Sequence, residues 1–195
     1  MQLWRRIISI LRSGLPLAAY ATALLSFVAL LGACSGAAAP LTVASAGIDA
    51  EGLNVRLKWE PDAVVLDALD HGIALQFEID VQAQGAAHLG WRPTLASSTY
   101  HLELRYFPLS RQYRWRDLDH GDTRNYSARS LLIAALEDLH LSVPEGFRAA
   151  GVQRYRLNID LQRNALPGAL RLPALLDSKW HMASGDYTWP APAAG

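Results

Sequence analysis

Carboxylates alternate along one short stretch of the chain, beside a histidine and a glycine. The stretch reads Asp117-Leu118-Asp119-His120-Gly121-Asp122. Alternating acids resemble the first half of a calcium loop, but residues 125–129 supply no later acid to complete the ligand set. Asp, His and Gly also tolerate the backbone angles of tight turns, so the stretch is interpreted as a polar hairpin turn. Adjacent Asp and His groups leave a further hypothesis, a hydrolase site.

Arginines interleave with aromatic residues over the central part of the chain. Guanidinium groups beside aromatic rings suit carbohydrate, lipid head groups or an extended peptide. In the alternative interpretation, Tyr113 and Trp115 face the core while the neighbouring arginines face water. The candidate binding residues are Arg105, Arg111, Arg114 and Arg116.

Charge is unevenly distributed between two segments. Residues 49–80 carry eight acidic side chains against Arg56 and Lys58, whereas residues 105–129 carry six arginines against three aspartates. The two segments either lie near each other and pair at the surface, or leave an arginine face exposed to an anionic partner such as phospholipid or lipopolysaccharide.

Sequence motifs of catalysis or metal binding are missing from the chain after residue 40. Its six histidines are scattered without ligand spacing. It contains no Gly-x-Ser-x-Gly, no Ser-x-x-Lys and no glycine-rich phosphate loop. We therefore expect no metal, no cofactor and no enzymatic activity.

Cys34 is the only cysteine among 195 residues, and it follows an uncharged apolar run. Three arginines and no acid precede that run, which is the charge order of a secretory signal. The small residues Gly32 and Ala33 before a cysteine resemble the site at which bacterial lipoproteins are cleaved and acylated. The sequence predicts a lipoprotein-type signal peptide over residues 1–33, a lipid on Cys34 and a tether over residues 34–40.

Two other interpretations of the leader stay open. Residues 15–31 could form an uncleaved membrane anchor, or an ordinary signal peptide could be cut near Ala33 or Ala39. All three place the chain after about residue 40 outside the cytoplasm, facing the periplasm. An acylated Cys34 makes the membrane a partner, since two or more acyl chains anchor stably. Ser35 stands where many lipoproteins kept at the inner membrane have Asp, which favours the outer membrane.

The chain that follows the predicted signal peptide is long enough for one domain with a substantial core. Its 162 residues carry 15 basic and 18 acidic side chains, a balance that argues against nucleic-acid binding. Apart from Cys34 it has no thiol, so no disulfide is expected.

Alternation of apolar and polar side chains predicts antiparallel strands with one wet face. It covers residues 53–59, 73–82, 101–106, 112–116 and 154–162, with a last run over 179–189. One helix is predicted from Pro61-Asp62 to about Leu69, and a second is capped by Ser127 or Ser130. We expect an α+β fold, mainly antiparallel β and sandwich-like, with about seven strands and one or two packed helices. It forms a single β-rich domain over residues 41–190, followed by a loose tail over 191–195.

Three blocks of the sequence resemble a bacterial family, domain of unknown function 4390. The blocks are Ala68-Leu69 with Gly72 to Phe77; Leu109-Ser110-Arg111-Gln112-Tyr113-Arg114 followed by Ser130-Leu131 and Ala135-Leu136; and Tyr155 to Trp189, including Leu166-Pro167, Ala174-Leu175 and Trp180. The chain departs from the family pattern in having Ala74 for the usual Pro and Ser110 for Thr.

The resemblance implies an envelope protein without known catalytic residues. Some members are called proline-rich signal peptide proteins, and their genes often neighbour that of a nitrogen-regulation-type sensor kinase. The expected function is a non-enzymatic binding or scaffold module in the periplasm, whose partner is an envelope protein or an anionic ligand. An accessory of an envelope sensor kinase is the alternative, and a hydrolase is the third.

Overall fold

The structure is a computed structural model and describes residues 39–192. Its helices are α1 (Ala63–Asp70), α2 (Arg129–Glu137) and α3 (Gly168–Leu176). Its strands are β1 (Leu41–Ile48), β2 (Leu53–Trp59), β3 (Leu75–Gln84), β4 (Thr94–Phe107), β5 (Gln112–Asp117), β6 (Thr123–Tyr126), β7 (Asp138–Leu141), β8 (Arg154–Leu161) and β9 (Tyr187–Pro190). Every pairing between these strands is antiparallel.

The larger sheet has six strands, in the spatial order β6-β5-β4-β3-β8-β9. β3 lies at its centre and alternates strictly between buried and half-buried positions along all ten residues. A strand with this pattern covers a core with one face and meets solvent with the other. The core side of the sheet is formed by side chains such as Phe77, Ile79, Leu102, Leu157 and Ile159, all fully buried.

The smaller sheet, in the order β1-β2-β7, covers that core face. Its middle strand β2 contributes Leu53, Val55, Leu57 and Trp59, and the ring of Trp59 packs edge-on against Phe77 with 5.7 Å between centroids. The two sheets therefore form a sandwich, as the alternation of side chains predicts.

Helix α1 begins and ends where its sequence signals lie. The Asp62 side chain caps the first turn by accepting the Val64 N–H at 3.0 Å. Val65, Ala68 and Leu69 are buried, and the chain leaves the helix through Gly72 at φ 80°. The predicted helix from Pro61-Asp62 to about Leu69 is confirmed.

The two ends of the sandwich differ in what they carry, and we name them after Pro40 and Pro192, which lie at or next to the two ends of the described chain. At the Pro40 end, the Pro40 carbonyl accepts the Glu60 N–H at 2.7 Å, and the Trp59 indole N–H contacts the Met182 sulfur at 3.3 Å. At the Pro192 end, the Arg148 guanidinium donates to the Asp49 carbonyl at 2.6 Å. α1, the β4–β5 hairpin and α3 belong to the Pro40 end, since they adjoin the first residues of β3 or the last residues of β4 and β8.

The predicted fold class is confirmed, with differences in detail. Residues 39–192 hold nine strands and three α-helices rather than about seven strands and one or two helices. Neither Ser127 nor Ser130 caps α2, because its N-cap is Ala128, which makes no capping side-chain bond. The run over residues 179–189 forms a strand only from Tyr187, since residues 178–180 make a 3₁₀ turn.

The predicted signal peptide over residues 1–33, Cys34 and most of the tether lie outside the described residues, as does the end of the predicted tail. Among the residues described, no helix has the length and apolar character needed to cross a bilayer.

Candidate binding site

Strands β4 and β5 place three of the four candidate arginines on the solvent side of the larger sheet. Leu104 and Trp115 are buried on the core side. Because side chains alternate along a strand, their neighbours Arg105, Arg114 and Arg116 point outward. The register puts Arg105 directly opposite Arg114, and Arg116 opposite Glu103. We call Arg105, Arg114 and Arg116 the arginine face.

Phe107 lies between the charged groups of the arginine face. The guanidinium carbon of Arg114 is 4.1 Å from the centre of its ring, and that of Arg105 is 5.3 Å away. Like charges directly opposite each other destabilise a sheet, whereas a cation over an aromatic ring is attracted to it. The attraction of both guanidinium groups to the half-buried ring therefore offsets part of the repulsion between them.

Polar neighbours of the arginine face are uncharged at its closest contacts. Arg105 donates to the Gly72 carbonyl at 3.2 Å, and Arg114 donates to the Asn125 side-chain oxygen at 3.3 Å. Within residues 39–192, no carboxylate lies within 4.0 Å of a nitrogen of Arg105, Arg114 or Arg116. The remaining donors of these guanidinium groups are available to an anionic group.

Arg111 lies apart from the arginine face, in the turn that joins β4 to β5. Its backbone has φ 53°, and its side chain is exposed. Arg124 lies on the inward side of β6, with its guanidinium 5.1 Å from the Trp115 ring centre. Sequence reasoning overlooked Phe107; the available signal was an aromatic residue at a position where alternation along β4 calls for a polar one.

Only one ion pair joins the acidic and arginine-rich segments within the described chain. It links Asp70, at the end of α1, to Arg129, at the start of α2. The Tyr113 hydroxyl donates to the same carboxylate at 2.7 Å. Burial is the main cause that raises the pKa of Tyr113, and the contact with Asp70 adds to it, bringing the pKa to about 12. The expected ion pairing between residues 49–80 and residues 105–129 is thus made by Arg129 but not by the arginine face.

Replacing Tyr113 by phenylalanine removes the hydroxyl that connects β5 to α1. We expect Tyr113→Phe to lower the free energy of unfolding by about 1–2 kcal/mol, since a hydrogen bond to a charged group is lost. The matched control is Tyr106→Phe, because the Tyr106 ring packs 4.6 Å from that of Tyr113 while its hydroxyl has no partner among the described residues. Urea unfolding of the three proteins measures the difference, and equal losses in both variants would contradict the role of the hydroxyl.

The stretch from Asp117 to Asp122 forms a turn built on one buried carboxylate. Asp117 accepts the backbone N–H of Asp119 at 2.8 Å and of His120 at 3.0 Å, and lies 2.9 Å from the His120 ring nitrogen Nδ1. Burial alone would raise the pKa of Asp117, but these hydrogen bonds outweigh it and hold the pKa below its usual value. The geometry agrees with a polar hairpin turn, since Gly121 has φ 81°.

His101 is flanked by two carboxylates beside that turn. Its Nδ1 lies 3.1 Å from an Asp119 oxygen, and its Nε2 lies 3.8 Å from a Glu78 oxygen. Both ring nitrogens therefore face acids rather than a hydroxyl group. No cluster of three or more His, Cys, Asp or Glu side chains placed to hold a metal ion occurs in the part of the chain that the structure describes.

A cavity of about 500 Å³ opens at the Pro192 end, away from the arginine face. It lies between the β1–β2 turn and residues 147–152, and small apolar side chains form much of its wall. Its one arginine, Arg148, donates to the carbonyls of Asp49 and Ala50. The guanidinium group of this cavity is thus engaged by backbone oxygens, which leaves the arginine face as the better candidate for binding an anion.

A family model, Domain of unknown function (DUF4390), matches residues 41–190. The chain belongs to the DUF4390 family. The match runs from the first residue of β1 to the last residue of β9. No curated protein and no solved structure matches the chain.

Several residues that carry the resemblance to DUF4390 lie at the Pro40 end. Leu166, Ala174 and Trp180 are buried around α3. The block from Leu109 to Arg114 forms the tip of the β4–β5 hairpin and the start of β5. This DUF4390 hairpin carries both Tyr113, which bonds to α1, and Arg114 of the arginine face.

Proposed function

We propose that this DUF4390 protein is a lipid-anchored binding module of the cell envelope, without a catalytic step of its own. Cys34 holds it at a membrane, with the outer membrane favoured by Ser35, and the domain faces the periplasm. The arginine face binds an anionic group of an envelope partner. The observation that carries the proposal is the pair Arg105 and Arg114, held opposite each other beside Phe107, with no carboxylate of the described residues within 4.0 Å of their nitrogens.

The arrangement suits an anion for two reasons. Guanidinium groups present planar sets of donors that match carboxylate and phosphate oxygens in pairs. An anion between Arg105 and Arg114 would also relieve their mutual repulsion, a favourable contribution that is made only in the bound state. Arg105 and Arg116 are exposed on the outer side of the sheet, which fits a group on a large partner better than an enclosed small molecule.

The test compares two double variants of the full-length protein that remove the same charge. Arg105→Gln with Arg114→Gln neutralises the arginine face, whereas Arg56→Gln with Arg154→Gln neutralises exposed arginines elsewhere on the domain. We expect the first variant to recover more than about tenfold less partner from detergent-solubilised envelopes, because two charge-assisted contacts are lost. Quantitative mass spectrometry of the captured proteins measures this.

Two further results of the same capture bear on the proposal. Recovery by the natural sequence falls as salt is added, because exposed charges are screened. A sensor kinase among the arginine-dependent proteins would make the module an accessory of envelope sensing, whereas a structural envelope protein would make it a scaffold. Equal recovery by all three proteins would refute the role of the arginine face.

A further inference from the structure

Helix α3 exposes large apolar side chains to solvent. It is seated on the domain by Ala174, which is fully buried, and by the partly buried Leu170. Leu172, Leu175 and Leu176 are 68%, 55% and 83% exposed. Three neighbouring leucines on one short helix form a patch that soluble surfaces seldom leave uncovered.

A second apolar group projects from the β4–β5 hairpin. Leu109, at its tip, is 104% exposed, as much as in an unfolded chain. Arg111 follows it in the same turn, and Arg171 and Lys179 are exposed on and just after α3. Leucines beside basic side chains have the composition of protein surfaces that lie on anionic membranes.

Both groups lie at the Pro40 end of the sandwich. The turn of this hairpin follows the last residues of β4, and those residues pair with the first residues of β3. The chain leaves β8 for α3 and returns beside it, where the Leu161 N–H donates to the Met182 carbonyl at 2.9 Å. We call the exposed side chains of Leu109, Arg111, Arg171, Leu172, Leu175, Leu176 and Lys179 the Pro40-end surface.

The same end receives the chain from the predicted lipid anchor. Five residues lie between Cys34 and Pro40, and even a fully extended chain spans only about 20 Å over the six steps from one to the other. The ten residues of β3 span about 33 Å from the Pro40 end to the Pro192 end. A tether this short keeps the Pro40 end close to the bilayer and excludes an upright domain that stands on its opposite end.

We propose that the Pro40-end surface docks on the anionic phospholipid surface of the membrane that carries the anchor. This inference rests on the proposed function, since it takes Cys34 as the point of attachment. The leucines enter the head-group region, and Arg111, Arg171 and Lys179 approach lipid phosphates. Docking fixes the domain upright, so that the arginine face points sideways along the membrane and meets its partner.

Exposed apolar side chains at the other end of the domain provide a comparison. Leu89 is 107% exposed in the loop that joins β3 to β4 at the Pro192 end. Leu89 matches Leu109 in residue type and in exposure, but it lies at the end of the domain that points away from the bilayer when the Pro40-end surface is docked. If any exposed leucine could insert into the bilayer, positions 89 and 109 would both contact lipid. If the Pro40-end surface docks, only position 109 contacts lipid.

The experiment uses the full-length protein, processed in bacterial membranes and reconstituted into vesicles of phosphatidylethanolamine and phosphatidylglycerol. Leu109→Cys, Leu175→Cys and Leu89→Cys each carry a fluorophore; an acylated Cys34 has no free thiol to compete for it. All three substitutions replace exposed side chains and leave the core intact. Lipids with a nitroxide near the head group then quench whichever label touches the bilayer.

We expect several-fold stronger quenching at positions 109 and 175 than at position 89, and weaker quenching at 109 when phosphatidylglycerol is left out. Vesicle flotation without preferential quenching at 109 and 175 would overturn docking while leaving the anchor in place. Protein that does not float with vesicles would overturn both docking and the anchor. Neither result depends on Arg105 or Arg114, so the binding role of the arginine face stands or falls separately.

Discussion

Gly52→Ala is expected to lower the free energy of unfolding by about 2–4 kcal/mol, through backbone strain and steric overlap together. Gly52 is buried in the β1–β2 turn, with φ 150°. A Cβ atom at this position would lie 2.3 Å from the Leu141 carbonyl oxygen and 3.1 Å from its carbon. Both atoms belong to backbone, which cannot swing aside as a flexible side chain would.

The overlap in Gly52→Ala lies where the smaller sheet closes. Leu53 pairs with Leu141 in the register between β2 and β7, so moving the Leu141 carbonyl disturbs this pairing directly. Loss of the pairing would expose part of the core face that Leu53 and Leu141 cover. We therefore expect the variant to unfold at lower urea concentration and to lose hydrogen-exchange protection first along β7.

Gly47→Ala is the matched control, because Gly47 lies in the same hairpin and a Cβ there would meet nothing within 4 Å. Its unfolding midpoint should change little. A midpoint for Gly52→Ala equal to that of Gly47→Ala would show that the turn adapts to the methyl group, and would refute the steric argument.

Much of the sandwich was predictable because burial follows a period of two residues in its central strands. Residues 53–59 and 154–161 show the alternation of buried and exposed positions that their sequence indicates. β1 escaped prediction because it is an edge strand of small residues with few buried positions and an irregular register between Val43 and Ser45. An edge strand needs no regular apolar face.

Two other differences arise from competing local and tertiary effects. Leu139 continues the helical spacing of Leu132 and Leu136, but the structure pairs it with Val55 in β7, since sheet pairing overrides helix propensity. Pro167 and Gly168 are residue types that often interrupt regular structure, yet Pro167 is the N-cap of α3 and Gly168 its first residue. A proline at this position is compatible with a helix that begins just after it.

The candidate site was predictable in direction but not in geometry. Alternation already implied that Trp115 faces the core while Arg114 and Arg116 face water, and the structure agrees. The sequence does not state the register between β4 and β5, which depends on the length and shape of the hairpin turn. Only that register shows Arg105 opposite Arg114, with Phe107 beside both.

Asp117→Ala is expected to cost about 2–4 kcal/mol of unfolding free energy, because it leaves two backbone N–H groups and the His120 ring without their acceptor. The Asp117 side chain is 8% exposed, so water replaces it poorly. Asp117→Asn should cost less, since an amide oxygen still accepts a hydrogen bond but carries no charge.

The pH dependence of stability should identify the charged form of Asp117 as the stabilising one. Its pKa is lowered in the folded protein, so the folded state favours the carboxylate relative to the unfolded chain. The contribution is fully present above the unfolded pKa of about 3.9, and is lost as pH falls through the lower folded pKa. The stability difference between the natural sequence and Asp117→Asn should therefore shrink below about pH 4.

Asp122→Asn separates this effect from a general change of charge in the turn. Asp122 is exposed, and its side chain accepts no hydrogen bond within residues 39–192, so its replacement should alter stability by less than about 0.5 kcal/mol at neutral pH. Urea unfolding of the natural sequence, Asp117→Asn and Asp122→Asn at pH 7 and at pH 3 makes the comparison. If the loss of unfolding free energy in Asp117→Asn, relative to the natural sequence, is the same at pH 3 as at pH 7, the charge of the carboxylate is not the cause. The stability of the turn would then depend on the shape and hydrogen bonds of the side chain alone.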